Sequence, residues 1–272
     1  MDFDDLDALA DLGGNPNKPD FNLLNGLAPD ERLFRFMRTD RFLDLVTREV
    51  LVLRKPNKWD DPFEDFLSKT RAIVDGQPIG FDLTKGFFGQ CWTTREECDG
   101  FWRNYCSLND GVRIETTVGK LIRSIWDSSN RFRHLQRFVG RVEYLAEEEL
   151  KARYAGCLDY GHELTDQSNR GCAQTLLIKR TEFSYEHEVR VLADDRDTDS
   201  DVREFPIRPR DLVDSIMFAP KMHTAQCEAL TDWLVKHGFE RHAISRSKLY
   251  DPWTLILDGT GALAGEGIVR TA

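Results

Sequence analysis

The chain lacks most of the short signatures by which catalytic and ligand sites are recognised in a sequence. It has no glycine-rich phosphate loop, no G-x-S-x-G nucleophile elbow, no H-E-x-x-H zinc motif and no protein-kinase motif. It has 6 histidines, and none of them stands at a recognisable ligand spacing. These absences argue against hydrolysis at a histidine-bound metal, and they leave the function to be inferred from less specific patterns.

Membrane and disulfide features are also missing. No apolar run approaches the length that spans a bilayer, and the first five residues are acidic, unlike the start of a secretory signal. The 6 cysteines include no C-x-x-C pair, so we expect reduced, structural thiols rather than a zinc site. We therefore expect a cytoplasmic protein without a membrane partner.

Positive charge is in short supply, since 37 Lys and Arg against 47 Asp and Glu give a formal net charge of -10. This balance argues against broad, nonspecific binding to duplex nucleic acid, which needs a basic surface. A local basic cleft remains compatible with it, because Lys and Arg concentrate in residues 32–54 and 123–141.

The length of 272 residues and the hydrophobic content of 40% suit one large core. We predict an acidic, flexible segment at residues 1–30, a single α+β catalytic domain at 31–258 and a tail at 259–272. Predicted strands outnumber long helices and are irregularly spaced, which favours mostly antiparallel sheets with flanking helices over a doubly wound parallel sheet. The predicted strands are 33–38, 50–53, 87–94, 111–116, 138–144, 183–192, 215–219 and 239–247, and the predicted helices are 39–49, 101–106, 118–127, 147–154, 172–179 and 224–237.

The most informative stretch is 183–192, which has the composition of a strand. With period-two alternation, Glu186, Glu188 and Arg190 project from one face. Two carboxylates on one face of a central strand are costly unless that face lines a solvated cleft or is paired. The pattern therefore indicates either acid/base or ribose-binding chemistry, or an exposed edge strand whose charges are solvated.

Arg35 is a second candidate, because it lies on a predicted strand whose other face is apolar. Its planar guanidinium suits a phosphate or a carboxylate. The partner of this guanidinium is either an anionic ligand or one of the many acidic side chains of the protein.

Two further stretches combine aromatic and polar side chains. The loop at 58–64 contains Asp61 and Phe63, and it reads either as a turn with its aromatics in the core or as part of a site. Thr93, Trp102 and Tyr105 form the second group. Such aromatic surfaces stack on planar rings, for example a base or nicotinamide. Aromatic residues of the core are the alternative interpretation, and we favour it for Trp92.

Five short motifs in order resemble a large bacterial family classified as a domain of unknown function and related to abortive-infection proteins. They are an early strand with Arg35 between aromatics, K-W-D-D-P-F-E at 58–64, C-W-T at 91–93, Trp102 and Tyr105 followed by G-V-R-I at 111–114, and Y-E-H-E-V-R at 185–190. Trp59, Asp60 and Thr93 depart from the Phe, Asn and Ser of the family, and Asn104 stands where the family often has His. The resemblance spans most of the chain but implies no chemistry by itself.

A second resemblance does imply chemistry. Arg35 on the first strand, Thr93 on a middle strand and Glu186 with Glu188 on a later one follow the order of mono-ADP-ribosyltransferases of the Arg-Ser-Glu type. It implies an ADP-ribosyltransferase-like fold and NAD as substrate. The acceptor would be a protein or a nucleic acid. The protein would act as a toxin or phage-defence effector, and a neutralising antitoxin would be its partner.

The same resemblance implies roles for individual residues. Arg35 would hold the NAD pyrophosphate, Thr93 would support the catalytic glutamate, and Trp102 or Tyr105 would stack on nicotinamide. Glu188 would bind the ribose hydroxyl and stabilise an oxocarbenium-like transition state, while Glu186 would orient or deprotonate the acceptor. The further NAD-contacting residues would be Arg190, Asp61 and Phe63.

Two other functions stay open at this point. One is a nuclease or nucleotide hydrolase with a divalent metal, whose ligands would be Asp60, Asp61, Glu64, Glu186 and Glu188. The other is a non-enzymatic module that binds a nucleotide or a partner protein. A metal-dependent nuclease or hydrolase would require a divalent metal, whereas NAD cleavage does not. A non-enzymatic module would bind its ligand without turnover.

Overall fold

The computed structural model describes residues 22–59, 64–65, 71–80, 84–126, 136–159 and 169–270. The strands, numbered in chain order, are β1 Leu23–Leu24, β2 Arg32–Met37, β3 Val50–Arg54, β4 Arg71–Val74, β5 Gln77–Gly80, β6 Phe87–Thr93, β7 Val112–Thr117, β8 Gln136–Arg141, β9 Glu143–Leu145, β10 Ile178–Arg180, β11 Glu188–Asp194, β12 Val202–Pro206, β13 Ser215–Phe218, β14 Ile244–Arg246, β15 Trp253–Leu257 and β16 Leu263–Arg270. The α-helices are α1 Thr39–Arg48, α2 Asp99–Tyr105, α3 Val118–Trp126, α4 Glu147–Asp159, α5 Arg170–Thr175, α6 Pro209–Leu212 and α7 Thr224–Lys236. Short 3-10 turns are formed by Pro56–Lys58, Thr181–Glu186 and Arg241–Ala243.

The fold is a mixed α+β arrangement of mostly antiparallel strands with helices, as the sequence predicts. Parallel pairing occurs between β1 and β8, between β9 and β10, and between β13 and β14. Across the described ranges, no helix combines the length and the apolar character needed to cross a membrane.

The chain divides into two compact units, of which the first comprises Met1–Arg35, Asp44–Glu96 and Thr116–Leu212. Its sheet has the strand order β1-β8-β11-β6-β2. Strand β3 also pairs with β6, and β12 pairs with β3. The longest ladder pairs β6 with β11 antiparallel, from Glu188 opposite Thr93 to Asp194 opposite Phe87. This ladder positions the residues that the sequence indicates as chemically active.

The core of the first unit is an apolar cluster on one side of this ladder. Its fully buried members are Leu24, Phe87, Phe138, Cys172, Ala173, Leu176, Leu177 and Leu192, with Trp59 packed against them. Gly140 of β8 permits this packing, because a Cβ at that position would overlap the side chain of Leu177. The turn after α5 is thereby held against the sheet.

The second unit comprises Phe36–Leu43, Glu97–Glu115 and Val213–Ala272. In it, β13 lies between β7 and β14. Helix α7 ends before Gly238, whose φ of 88° is the left-handed conformation that commonly terminates helices. Strands β15 and β16 form a separate antiparallel hairpin.

Most predicted elements are confirmed within one to three residues at the ends. Helix α1 forms where Phe42, Leu45 and Val46 provide an apolar face, and all three side chains are buried. The predictions for β3, β6, β7, β13 and α7 hold equally well. These predictions are correct because the apolar residues of each element recur at the positions that are buried.

The prediction of a continuous strand over 183–192 is wrong in its first half. Thr181–Glu186 is a 3-10 turn, and His187 has a φ of 44°, in the left-handed region. A left-handed residue cannot continue an extended strand, so β11 begins only at Glu188. The two glutamates are therefore not strand neighbours on one face.

Other elements differ from the prediction as well. The helix expected at 172–179 ends at Thr175 and is followed by β10, and the strand expected at 239–247 is reduced to β14. Segments expected to be flexible contain strands, namely β1 before residue 31 and β16 after residue 259. The predicted domain boundaries remain predictions.

Candidate functional site

Thr93 and Glu188 are direct cross-strand partners in the β6–β11 ladder, and Phe34 of β2 is the partner of Thr93 on its other side. The arginine, the threonine and the glutamate of the predicted motif thus lie on three adjacent strands, since Arg35 follows Phe34. Tertiary structure here joins residues more than 150 positions apart in the sequence.

Thr93 is buried, and its hydroxyl is fully used. It donates to the backbone carbonyl of Glu186 at 2.6 Å and accepts from the backbone N–H of Arg95 at 3.0 Å. The sequence predicts that Thr93 supports the catalytic glutamate. The structure shows support through the backbone that precedes Glu188, not through its carboxylate.

The left-handed residue His187 places two carboxylates at one point. Its carbonyl accepts from the backbone N–H of Thr94 at 3.0 Å, and the N–H of Glu188 donates to the hydroxyl of Tyr144 at 2.8 Å. The 3-10 turn ends at Glu186, His187 adopts the left-handed conformation, and β11 begins at Glu188. Glu186 and Glu188 consequently reach the same partner from two different elements.

That partner is Lys179 of β10. Its Nζ lies 2.5 Å from Glu186 Oε2, 3.1 Å from Glu188 Oε2 and 2.6 Å from Glu64 Oε1. With Arg190 these residues form what we call the buried ionic cluster: Glu64, Lys179, Glu186, Glu188 and Arg190. Each of the five is less than 9% exposed, so the charges interact with little screening by solvent.

Arg190 is fully buried, and its donors are directed to protein acceptors. Nε lies 2.9 Å from Glu188 Oε1, Nη2 lies 3.1 Å from Glu188 Oε2 and 3.0 Å from Glu64 Oε1, and Nη1 donates to the carbonyl of Leu176 at 2.6 Å. The guanidinium also lies 4.4 Å from the ring centre of Trp59. The predicted contact of Arg190 with NAD would break these bonds, which in the described conformation hold both carboxylate oxygens of Glu188.

The cluster shifts the pKa values of its glutamates in opposite directions. Burial alone would raise the pKa of Glu188, but Arg190 and Lys179 outweigh burial and lower it to about 2. Burial dominates for Glu64, whose pKa is raised despite the same two cations. Glu188 is therefore ionised at neutral pH. Lys179 is protonated there, because Glu188 and Glu64 raise its pKa against the effect of burial.

Arg35 is half-buried, and burial lowers its pKa to about 10, so it stays charged at neutral pH. Its charge interacts with the thiol of Cys91 and with Arg54 of β3. Cys91 in turn hydrogen-bonds to Glu188, and burial together with Glu188 raises its pKa well above the usual value. Arg35 and Glu188 thus share Cys91 as a neighbour, without a direct contact between them.

Neither Arg35 nor Arg54 has a carboxylate partner among the residues that the structure describes. Two guanidinium groups that repel each other, with no carboxylate partner in the described part of the chain, favour a bound anion. Arg54 is not among the residues predicted from the sequence. The signal was present, since Arg54 ends an apolar strand just as Arg35 interrupts one.

Trp102 and Tyr105 belong to the second unit. Trp102 is completely buried, its indole N–H donates to Glu97 at 2.7 Å, and its ring meets Phe36 edge-on at 4.9 Å. Tyr105 is 45% exposed and packs against Phe101. Trp102 is thus a core residue, while Tyr105 retains an open surface.

Asp60, Asp61 and Phe63 lie outside the described residues. In the described part of the chain, no group of three or more His, Cys, Asp or Glu side chains is arranged to hold a metal ion. The remaining predicted ligands, Glu64 and the two later glutamates, surround the ammonium group of Lys179 instead. This arrangement weakens the metal-dependent alternative.

Lys179 itself was missed in the sequence. It directly follows the apolar run Leu176–Ile178 and precedes Glu186 by seven residues. A charged residue at the end of a buried run, close to two carboxylates, is the signal that could have identified it.

Comparison with known proteins shows similarity to a family model and to solved structures. A family model described as "Protein of unknown function (DUF2971)" matches residues 101–191, less than half of the chain. The solved structure of Thermus sp. 2.9 DarT in complex with ADP-ribosylated ssDNA is similar over 82% of this chain and 97% of that chain, with 9% sequence identity and a TM-score of 0.38. No curated protein matches. The expected relation to abortive-infection proteins remains a prediction, as does the correspondence of the five motifs.

Proposed function

We propose that this protein is an ADP-ribosyltransferase-like enzyme that cleaves NAD and transfers ADP-ribose to a macromolecule. The observation that carries the proposal is the pairing of Thr93 with Glu188 on adjacent strands, beside the strand that bears Arg35. A toxin or phage-defence role, with a protein or a nucleic acid as acceptor, accords with this chemistry.

In the proposed reaction the glycosidic bond between ribose C1′ and the nicotinamide nitrogen breaks, and its electron pair leaves with neutral nicotinamide. Ionised Glu188 stabilises the positive charge that develops on the ribose. The acceptor then forms a bond to C1′ and loses its proton to Glu186. Arg35, with Arg54 beside it, offers positive charge for the pyrophosphate.

Glu188 is 3% exposed and Glu186 is 8% exposed in the described conformation. A substrate cannot reach carboxylates that are this deeply buried. The proposed function therefore requires a conformational change that opens the buried ionic cluster. Turnover that is slow without the acceptor, and faster with it, is the expected kinetic behaviour.

The test is release of nicotinamide from NAD in the presence of EDTA, with wild type beside Glu188→Gln. The variant leaves Lys179 and Arg190 balanced by the two remaining glutamates, so we expect it to fold and to lose turnover by at least about 100-fold. The matched control is Glu204→Gln, which removes a glutamate of the same unit that pairs with Arg48 at 2.6 Å.

Thermal unfolding of all three proteins shows whether they are folded. Turnover by wild type and by Glu204→Gln, but not by folded Glu188→Gln, supports the proposal. Equal turnover by folded Glu188→Gln refutes the assignment of Glu188. Absence of both turnover and NAD binding in wild type refutes NAD cleavage altogether.

A further inference from the structure

Lys179 is the geometric centre of the buried ionic cluster. Its ammonium group contacts carboxylates from three separate places in the chain: Glu64, Glu186 at the end of the 3-10 turn and Glu188 at the start of β11. We propose that Lys179 is a positioning residue that holds the side chains of Glu186 and Glu188 together for the reaction. This inference rests on the proposed function, because it assigns a role within the same site.

The contact geometry supports this role. An ammonium group has three donor hydrogens, and the three carboxylate oxygens lie 2.5, 2.6 and 3.1 Å from Nζ. Lys179 has almost no contact with solvent, and its Nζ lies 4.8 Å from the ring centre of Phe183. Its hydrogen-bonding capacity is therefore spent on the glutamates.

Charge balance gives the physical reason. Three carboxylates and two cations leave one net negative charge when all five groups are ionised. Loss of Lys179 would leave two net negative charges in a buried space, and one carboxylate would then retain a proton. A single negative charge at the site matches the single positive charge of an oxocarbenium-like transition state.

Other titratable groups face the cluster and are unchanged by substitution of Lys179. Arg190 contacts both Glu64 and Glu188, the hydroxyl of Tyr144 accepts from the N–H of Glu188, and the thiol of Cys91 hydrogen-bonds to Glu188. Burial raises the pKa of both Tyr144 and Cys91, so neither group ionises near neutral pH. A shift on loss of Lys179 is consequently attributable to its own charge.

The experiment measures nicotinamide release against pH for wild type, Lys179→Met and Lys179→Arg. In Lys179→Met we expect the acidic limb of the profile to move up by about one pH unit or more, since an opposite charge at hydrogen-bond distance is removed. Lys179→Arg keeps the charge and should keep the position of the limb. The control Lys151→Met removes an exposed lysine that pairs with Glu147 and Glu148.

A double variant separates charge from packing. Lys179→Met with Glu64→Gln restores the net charge of the cluster to one negative, so we expect the acidic limb to return toward the wild-type position. A purely structural role predicts the same loss of activity at every pH and no recovery in the double variant. That result would overturn the inference.

A second readout does not depend on catalysis. NMR of protein labelled with ¹³C in the glutamate carboxyl groups, with the Glu188 signal assigned by Glu188→Gln, gives the titration of Glu188 directly. If wild type does not cleave NAD but Glu188 titrates higher in Lys179→Met, the proposed function fails and the effect of Lys179 on Glu188 stands. If Glu188 titrates identically in both proteins, the inference about Lys179 fails whatever the activity.

Discussion

The hydroxyl of Thr93 donates a 2.6 Å hydrogen bond to the backbone carbonyl of Glu186, while Thr93 itself is the cross-strand partner of Glu188. One side chain thus links the last residue of the 3-10 turn to the ladder in which the second glutamate stands. The link fixes the turn at His187 that brings both carboxylates to Lys179. Thr93 acts on the candidate site through the backbone.

Thr93→Val removes this hydroxyl with little change in volume. The carbonyl of Glu186 and the N–H of Arg95 lose a buried partner, so we expect the free energy of unfolding to fall by about 1–3 kcal/mol. Urea denaturation measures this change. Thr93→Ser retains the hydroxyl and should lose less stability, and a Thr93→Val protein as stable as wild type would contradict the role assigned to the bond.

Arg35→Ala should weaken NAD binding and leave stability intact. Loss of a charge-assisted contact to phosphate is expected to raise KM for NAD by about 10- to 100-fold. Since Arg35 has no carboxylate partner in the described residues and its burial disfavours the charge, its removal costs no ion pair with those residues. Steady-state kinetics of nicotinamide release provide KM, and thermal unfolding provides stability.

The corresponding control is Arg48→Ala. Arg48 belongs to the same unit and pairs with Glu204 and Asp44, so its loss should leave KM unchanged. An unchanged KM in Arg35→Ala as well would show that Arg35 does not bind the substrate.

The pH dependence of stability should report Glu188. Its pKa is lowered from 4.5 to about 2 in the folded protein, so its stabilising contribution is present above pH 4.5 and is lost as pH falls toward 2. We expect the free energy of unfolding of wild type to drop more steeply over this range than that of Glu188→Gln. Equal slopes in denaturation series from pH 5 to pH 2 would argue against a depressed pKa.

Glu64 contributes with the opposite sign. Burial raises its pKa, so the folded state binds its proton more tightly than the unfolded state does. Its contribution is therefore fully present below pH 4.5 and is lost as pH rises through the folded-state pKa. Glu64→Gln should consequently reduce the loss of stability on the alkaline side of pH 4.5, which distinguishes the two glutamates in one set of measurements.

The local sequence pattern predicts an element correctly where the buried residues follow the apolar periodicity. Helix α1 and strand β6 form as predicted, because their apolar spacing leaves one arrangement that buries Phe42, Leu45 and Trp92. In the stretch 183–192, tertiary contacts override the local pattern. Its residues favour a strand, but bonds from Thr93 and Thr94 to the backbone of residues 186 and 187 stabilise a turn with a left-handed His187 instead.

The sequence by itself determined the α+β class, the candidate residues Arg35, Thr93, Glu186 and Glu188, and the absence of common motifs, because these depend on composition and on spacing along the chain. Only the tertiary structure decided which charges meet. Glu64 lies more than 100 positions before Lys179 and Arg190 in the chain. Their attraction in a buried, weakly screened space exists only after Glu64, β10 and β11 have come together.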